Sequence, residues 1–145
     1  MINNKIDVLG IGNAIVDVLA RTDDKFLVRH GLQKGSMVLI DAENANHLYS
    51  EMGPAIEASG GSAANTIAGI AALGGKTGFI GRVANDQLGE VFSHDIRSLG
   101  VEYSTQLGRD GTPTAQSFIL VTPDGERTMN TFLGASQGLS LEDLN

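Results

Sequence analysis

The sequence has no cysteine and no tryptophan, only three prolines, and no apolar run long enough to cross a bilayer. Without cysteine there are no disulfides and no thiolate metal sites. Without a long apolar run there is no membrane-spanning helix to expect. Basic residues are also scarce: ten Lys and Arg stand against seventeen Asp and Glu, for a net charge of −7 and a pI near 4.7. They form no cluster, which argues against a nucleic-acid or anionic-membrane partner. The opening Met1-Ile2-Asn3-Asn4-Lys5-Ile6-Asp7 lacks the charged start and apolar core of a signal peptide, so a cytoplasmic chain is expected. Glycine is abundant. Nineteen glycines in 145 residues, with 41% hydrophobic content, favour a single α/β domain with backbone-lined sites over a helical bundle.

Patterning predicts strand–helix alternation. Ile6–Ile11 reads as a buried strand and Asn13–Leu19 as a second extended piece. Thr22-Asp23-Asp24 opens a helix closed by Gly31, and Gly35–Ile40 is a strand. Asp41 caps a helix over Ala42–Met52, and Ala55–Ala58 is an extended lead into Gly60-Gly61. A small-residue helix follows to Gly74, then a strand over Lys76–Arg82, a helix over Gln87–Leu99 capped by Asp86, and an extended Val101–Leu107. Ala115–Val121 and Arg127–Leu133 flank Thr122-Pro123-Asp124-Gly125, a strong turn signal that makes them a hairpin. The alternation implies a parallel sheet with crossover helices, and the surplus strands imply a second sheet standing off it. Ser140-Leu141-Glu142-Asp143 reads as a helix start, with Asp143 reciprocating the Ser140 cap. One turn is not stable alone, and a parallel sheet needs more covering helices than are present. The chain is therefore expected to be the front part of a longer protein.

The most informative stretch is Ser59-Gly60-Gly61-Ser62-Ala63-Ala64-Asn65. Two glycines clear the backbone for a ligand, Ser62 is a natural N-cap, and the helix aims free N–H groups and its positive dipole end at the glycines. Asn65, one turn in, adds an amide that both donates and accepts. The same residues could equally be a tight turn with close helix–sheet packing. Asn13 and Asp17 stand four apart, with both able to face one side of a strand near the carboxyl end of the first strand. An amide and a carboxylate there can hold a vicinal diol; a turn-forming Asn and a solvated Asp would look the same. Met129, Thr131 and Leu133 alternate onto one face of the hairpin, either as core or as an apolar cover over a ligand. His30, His47 and His94 fall on three helices without ligand spacing and read as surface or capping residues, so no metal site is expected. Gly75-Lys76-Thr77 mimics a phosphate-binding loop, but position 70 is Ile70 and the tripeptide follows a helix rather than opening one. Gly10-Ile11-Gly12 lacks the third glycine of a dinucleotide fingerprint.

Gly60 to Asn65, Gly74, Phe79-Ile80-Gly81-Arg82-Val83 and Asp86-Gln87-Leu88-Gly89 together closely resemble the first signature of the PfkB (ribokinase-like) family of carbohydrate and nucleoside kinases. Gly10 to Asp17 resembles that family's opening strand. The Gly-Asn-x-x-x-Asp spacing and Glu126-Arg127-Thr128-Met129 look most like its adenosine kinase branch. The resemblance implies a doubly wound α/β sandwich with a small β-sheet lid from strands near 13–20, 36–40, 114–121 and 126–133. It implies transfer of the ATP γ-phosphate, with Mg²⁺, to the primary hydroxyl of a nucleoside or sugar, by a monomer or a lid-mediated homodimer. Asp17 would hold ribose-like hydroxyls with Asn13 in support. Gly60, Gly61, Ser62 and Asn65 would meet the same hydroxyls, and Met37, Leu39, Met129, Thr131 and Leu133 would line the lid. The family's second signature, Gly-Ala-Gly-Asp, supplies the catalytic base and does not occur here. No catalytic residue is therefore assigned in this chain, the ATP-binding half is expected to lie outside it, and residues 1–145 alone are expected to be inactive; a non-catalytic polyol- or nucleoside-binding module is the alternative expectation.

Overall fold

The computed structural model describes residues 5–144. Two sheets share one continuous core. The first is parallel, in the order β1 (Val8–Ile11), β5 (Thr77–Ile80), β6 (Val101–Tyr103). The second is mixed and holds β3 (Met37–Leu39), β8 (Arg127–Phe132), β7 (Ala115–Val121), β2 (Ile15–Arg21) and β4 (Ile56–Gly60), in that order. The surplus strands thus do form a separate sheet, but among the described residues it is the larger of the two. Its extra member is β4, which pairs antiparallel with β2, Asp17 opposite Ala58 and Ile15 opposite Gly60. Local sequence shows only an extended lead-in at this point; the pairing that makes it a strand is long-range.

Among the described residues four α-helices, α1 (Asp24–Arg29), α2 (Ala42–Glu51), α3 (Ser62–Ala72) and α4 (Gln87–Ser98), pack on these sheets. Three begin as the sequence predicts. Asp23, Asp41 and Asp86 each accept a hydrogen bond from a first-turn N–H, of Phe26, Asn44 and Gly89, at 2.8 Å. This occupies one of the N–H groups that a helix start leaves without a partner. α3 differs. Its N-cap is Gly61, Ser62 is already helical, and no side chain caps it. The expectation that Ser62 caps this helix is corrected: Gly61 holds φ +97°, which a capping serine would not tolerate, so the turn is made one residue earlier.

The strand alternation sorts the second sheet cleanly. Val16, Val18, Ala20, Phe118 and Leu120 are buried against Leu27 of α1 and Leu48 of α2. Phe79, Phe92 and Tyr103 join the parallel sheet to α4, with ring centroids 5.4–6.2 Å apart. Gly10 and Gly12 are explained by α3 rather than by a dinucleotide: side chains there would run into Ile67 and Ala63. Gly75 follows α3 and Thr77 opens β5, so the phosphate-loop mimic is a helix-to-strand connection.

Asp86 does more than cap α4. Its carboxylate also accepts from the Thr114 N–H at 2.9 Å and the Thr114 hydroxyl at 2.6 Å. Thr114 is fully buried, and its hydroxyl oxygen accepts from the Ala84 N–H at 2.9 Å. The base of the β7–β8 hairpin is thereby fastened to α4. Asp86→Ala removes the cap and strands buried donors on Thr114. It is expected to lower unfolding free energy by about 2–4 kcal/mol, read by urea denaturation. Unchanged stability would show that the fastening contributes nothing.

Candidate functional site

In a β-ladder, residues directly opposite one another project to the same face. The register places Asp17 opposite Ser117, Ser117 opposite Thr131, and Thr131 opposite Leu39. One step along, Ile119 stands opposite Met129 and Met129 opposite Met37. Asp17, Ser117, Thr131, Leu39, Met129 and Met37 therefore share the face of the second sheet turned away from its helix-packed side. Met37 and Leu39 are 61% and 58% exposed, so much of this apolar surface is uncovered in the chain. The Ser117 and Thr131 hydroxyls are buried and 2.9 Å apart. Ser117 is a neighbour of the Asp17 carboxylate that sequence reading missed. Its only signal there is a lone hydroxyl beside Gln116, ahead of the apolar run Phe118–Val121.

Asp17 is half-buried. Burial raises the pKa of its carboxyl above the ordinary aspartate value, because a charged carboxylate loses hydration there. Among the described residues it has no hydrogen-bond or ion-pair partner. Gly60 lies across the ladder in β4, and a Cβ at that position would overlap the carboxyl carbon and both oxygens of Asp17. Gly60 is thus the space the carboxylate occupies. Gly61 follows with its positive φ, and a Cβ there would press into the Asn13 carbonyl at 2.5 Å. The bare backbone of Gly61 thus lets the start of α3 pass close to the segment leading into β2.

Asn13, Ser62 and Asn65 are exposed at this junction. Asn13 precedes β2, which begins at Ile15, so it does not share a strand face with Asp17 as its spacing suggested. It borders Gly61 through its backbone. Asn65 sits one turn into α3, its N–H donating to the Gly61 carbonyl at 2.8 Å. The first N–H groups of α3 have no side-chain cap, so the niche carries main-chain donors beside a carboxylate acceptor. Leu133 leaves the group. β8 ends at Phe132, and Leu133 takes helical angles to start a 3₁₀ turn over Gly134–Gly138. Alternation read from sequence overran the strand by one residue.

Arg82 is occupied structurally. It donates to the Gly138 carbonyl and lies 4.0 Å from Asp143, holding the segment after the hairpin. Asp143 accepts from the Ser140 N–H at 2.8 Å, the reciprocal contact the sequence predicts. Among the described residues no three His, Cys, Asp or Glu side chains converge as metal ligands. They therefore offer no protein cage that would hold Mg²⁺ by itself. No described helix is long and apolar enough to cross a membrane.

A parallel α/β layer, a mixed sheet standing off it, and a carboxylate–glycine niche where the two meet make this a ribokinase-like α/β sandwich whose lid sheet is open. The chain belongs to the pfkB family of carbohydrate kinases, whose model matches residues 50–145. A solved adenosine kinase from Sinorhizobium meliloti is 60% identical, superposes with a TM-score of 0.87, and covers 97% of this chain. A probable sugar kinase from Rhizobium etli CFN 42 is 57% identical, with a TM-score of 0.86 over 95% of the chain. A probable chloroplastic fructokinase from Arabidopsis thaliana is 31% identical over 110 residues, 75% of this chain. The chain spans 43% and 42% of the two solved structures and 29% of the fructokinase.

Proposed function

We propose that this chain is the substrate-binding portion of an ATP-dependent phosphotransferase acting on the primary hydroxyl of a ribose-containing nucleoside, adenosine first. One observation carries the reading: a half-buried carboxylate, Asp17, without a protein partner, set in the gap left by Gly60 beside the uncapped start of α3. A carboxylate only accepts hydrogen bonds, and its two oxygens match two adjacent hydroxyls. The α3 N–H groups and the Asn65 amide supply donors to the hydroxyl oxygens, with Asn13 and Ser62 at the rim. Met37, Leu39 and Met129 form the apolar side of the same sheet face, suited to a flat base. Thr131 underpins it through Ser117.

In this reading the rest of a longer protein supplies the catalytic base and the ATP and Mg²⁺ sites. Phosphoryl transfer depends on positioned charge around the moving group, so residues 1–145 alone give no turnover. The protein acts in the cytoplasm on a small molecule rather than a nucleic acid. It is a monomer, or a homodimer joined through the free edges of the lid sheet at β3 and β4.

A free sugar is the second reading, favoured by the likeness to a probable sugar kinase. Ligand-induced thermal shifts of the full-length protein separate the two. Adenosine is expected to raise Tm at concentrations where fructose does not. A shift with fructose and none with adenosine would replace the nucleoside reading by the sugar one. No shift with either would remove the substrate assignment.

A further inference from the structure

The helix-packed side of the second sheet holds a cavity that the substrate reading does not use. It measures about 250 Å³ and is lined by Arg29, His30, Leu32, Ile40, Asn44, His47, Leu48 and Asn130. Asn130 is 4% exposed, and its side-chain Nδ2 has no hydrogen-bond partner. His30 Nε2 is likewise buried and unpartnered. Burying polar atoms without partners is costly, and here both belong to residues that line one space. The His30 ring rests on Phe26 with centroids 4.3 Å apart and faces the His47 ring at 5.8 Å. The sequence reading of both histidines as surface or capping residues is thereby extended. His30 does end α1, but its ring closes a pocket with a histidine from α2.

The lining has one sign. Arg29 brings a guanidinium with no ion-pair partner among the described residues, and no lining residue is acidic. Asp41 reaches this region through Asn44 but is engaged with the Asn44 N–H and side-chain amide, at 2.8 and 2.9 Å. A guanidinium and an amide NH₂ repel a cation and suit an oxyanion. One guanidinium balances one negative charge, as on a carboxylate, whereas a phosphate group carries close to two at neutral pH. Leu32, Ile40 and Leu48 supply an apolar floor for the remainder of such a ligand.

We propose that this cavity between α1, α2 and β8 binds a small organic carboxylate, its head between Arg29, the His30 and His47 rings and the Asn130 amide, its body over Leu32, Ile40 and Leu48. The site lies behind β8. Asn130 faces it, while the flanking Met129 and Thr131 face the candidate substrate niche.

The probe is sodium benzoate, titrated into the protein and followed by the ring proton resonances of the histidines. Saturable shifts are expected at His30 and His47, with His94 on α4 unmoved. Arg29→Gln, at an exposed side chain, is expected to weaken the apparent affinity at least ten-fold, and Asn130→Leu likewise. Sodium phosphate is expected to bind at least ten-fold more weakly than benzoate. Absence of saturable shifts, as when ordered water alone fills the cavity, would overturn the proposal. So would unchanged affinity in Arg29→Gln, equal shifts at His94, or phosphate binding as tightly as benzoate. None of these outcomes depends on the kinase reading.

Discussion

Replacing Asp17 by Ala or Asn is expected to weaken adenosine binding by roughly ten- to a hundred-fold while leaving the fold intact. The loss corresponds to about 1.5–3 kcal/mol for hydrogen bonds to a charged group. The stability effect has the opposite sign. Burial raises the folded-state pKa of Asp17. The folded state then holds this proton more tightly than the unfolded chain does, so the group's stabilising contribution is present at low pH and is lost as pH rises through the raised value. At neutral pH the charged carboxylate is a burden on the fold. Asp17→Asn should therefore raise Tm at pH 7, and its advantage should shrink as the buffer is acidified toward and below the carboxyl pKa. Calorimetric melts at several pH values, paired with adenosine titrations, check both halves. A lowered Tm at pH 7 with unchanged affinity would mean that Asp17 serves the fold and not a ligand.

The two adjacent glycines are expected to fail differently. At Gly60 the atoms an added methyl meets first are those at the end of the Asp17 side chain, which can rotate away. Gly60→Ala should then cost little stability, within about 1 kcal/mol, yet weaken adenosine binding about as much as Asp17→Ala because the carboxylate is displaced. At Gly61 the methyl meets the Asn13 backbone carbonyl, and φ of +97° disfavours any side chain. Gly61→Ala should lower unfolding free energy by about 2–4 kcal/mol, combining left-handed strain with a backbone shift. Urea denaturation and binding, measured on both variants, separate the effects. Equal stability losses would contradict the distinction, and so would retained binding in Gly60→Ala.

What the sequence showed was mostly what short-range chemistry decides. An aspartate at a helix start finds its own first-turn N–H whatever surrounds it, so Asp23, Asp41 and Asp86 were readable. The Pro123-Asp124-Gly125 turn sets its own hairpin in the same way. Of the candidate site, Asp17 and Gly60-Gly61 were readable as residues of the right kind, but their mutual fit was not. The carboxylate fills the space of Gly60 only because β2 pairs with β4 across a separation of some forty residues. β4 itself reads only as an extended lead-in because it is a five-residue edge strand whose one large apolar residue, Ile56, is 70% exposed, and the partner that makes it a strand lies far away in sequence. Serine commonly caps a helix, so Ser62 reads as the cap; the structure puts the cap at Gly61, where φ is +97° and the backbone leaves no room for a side chain beside the Asn13 carbonyl. Leu133 continued an alternation that Gly134, at φ +41°, ends. The second roles of Asp86 and of His30 with His47 depend on partners from distant segments.

In the proposed function the Asp17 carboxylate holds the two ribose hydroxyls of a nucleoside. Affinities of adenosine and 2′,3′-dideoxyadenosine, each measured by calorimetry on the wild-type protein and on Asp17→Ala, close a double-mutant cycle on that contact. The account predicts that removing the hydroxyls costs at least ten-fold in the wild type and almost nothing once Asp17 is gone. Equal losses on both backgrounds would contradict it, because the hydroxyls would then be recognised somewhere else.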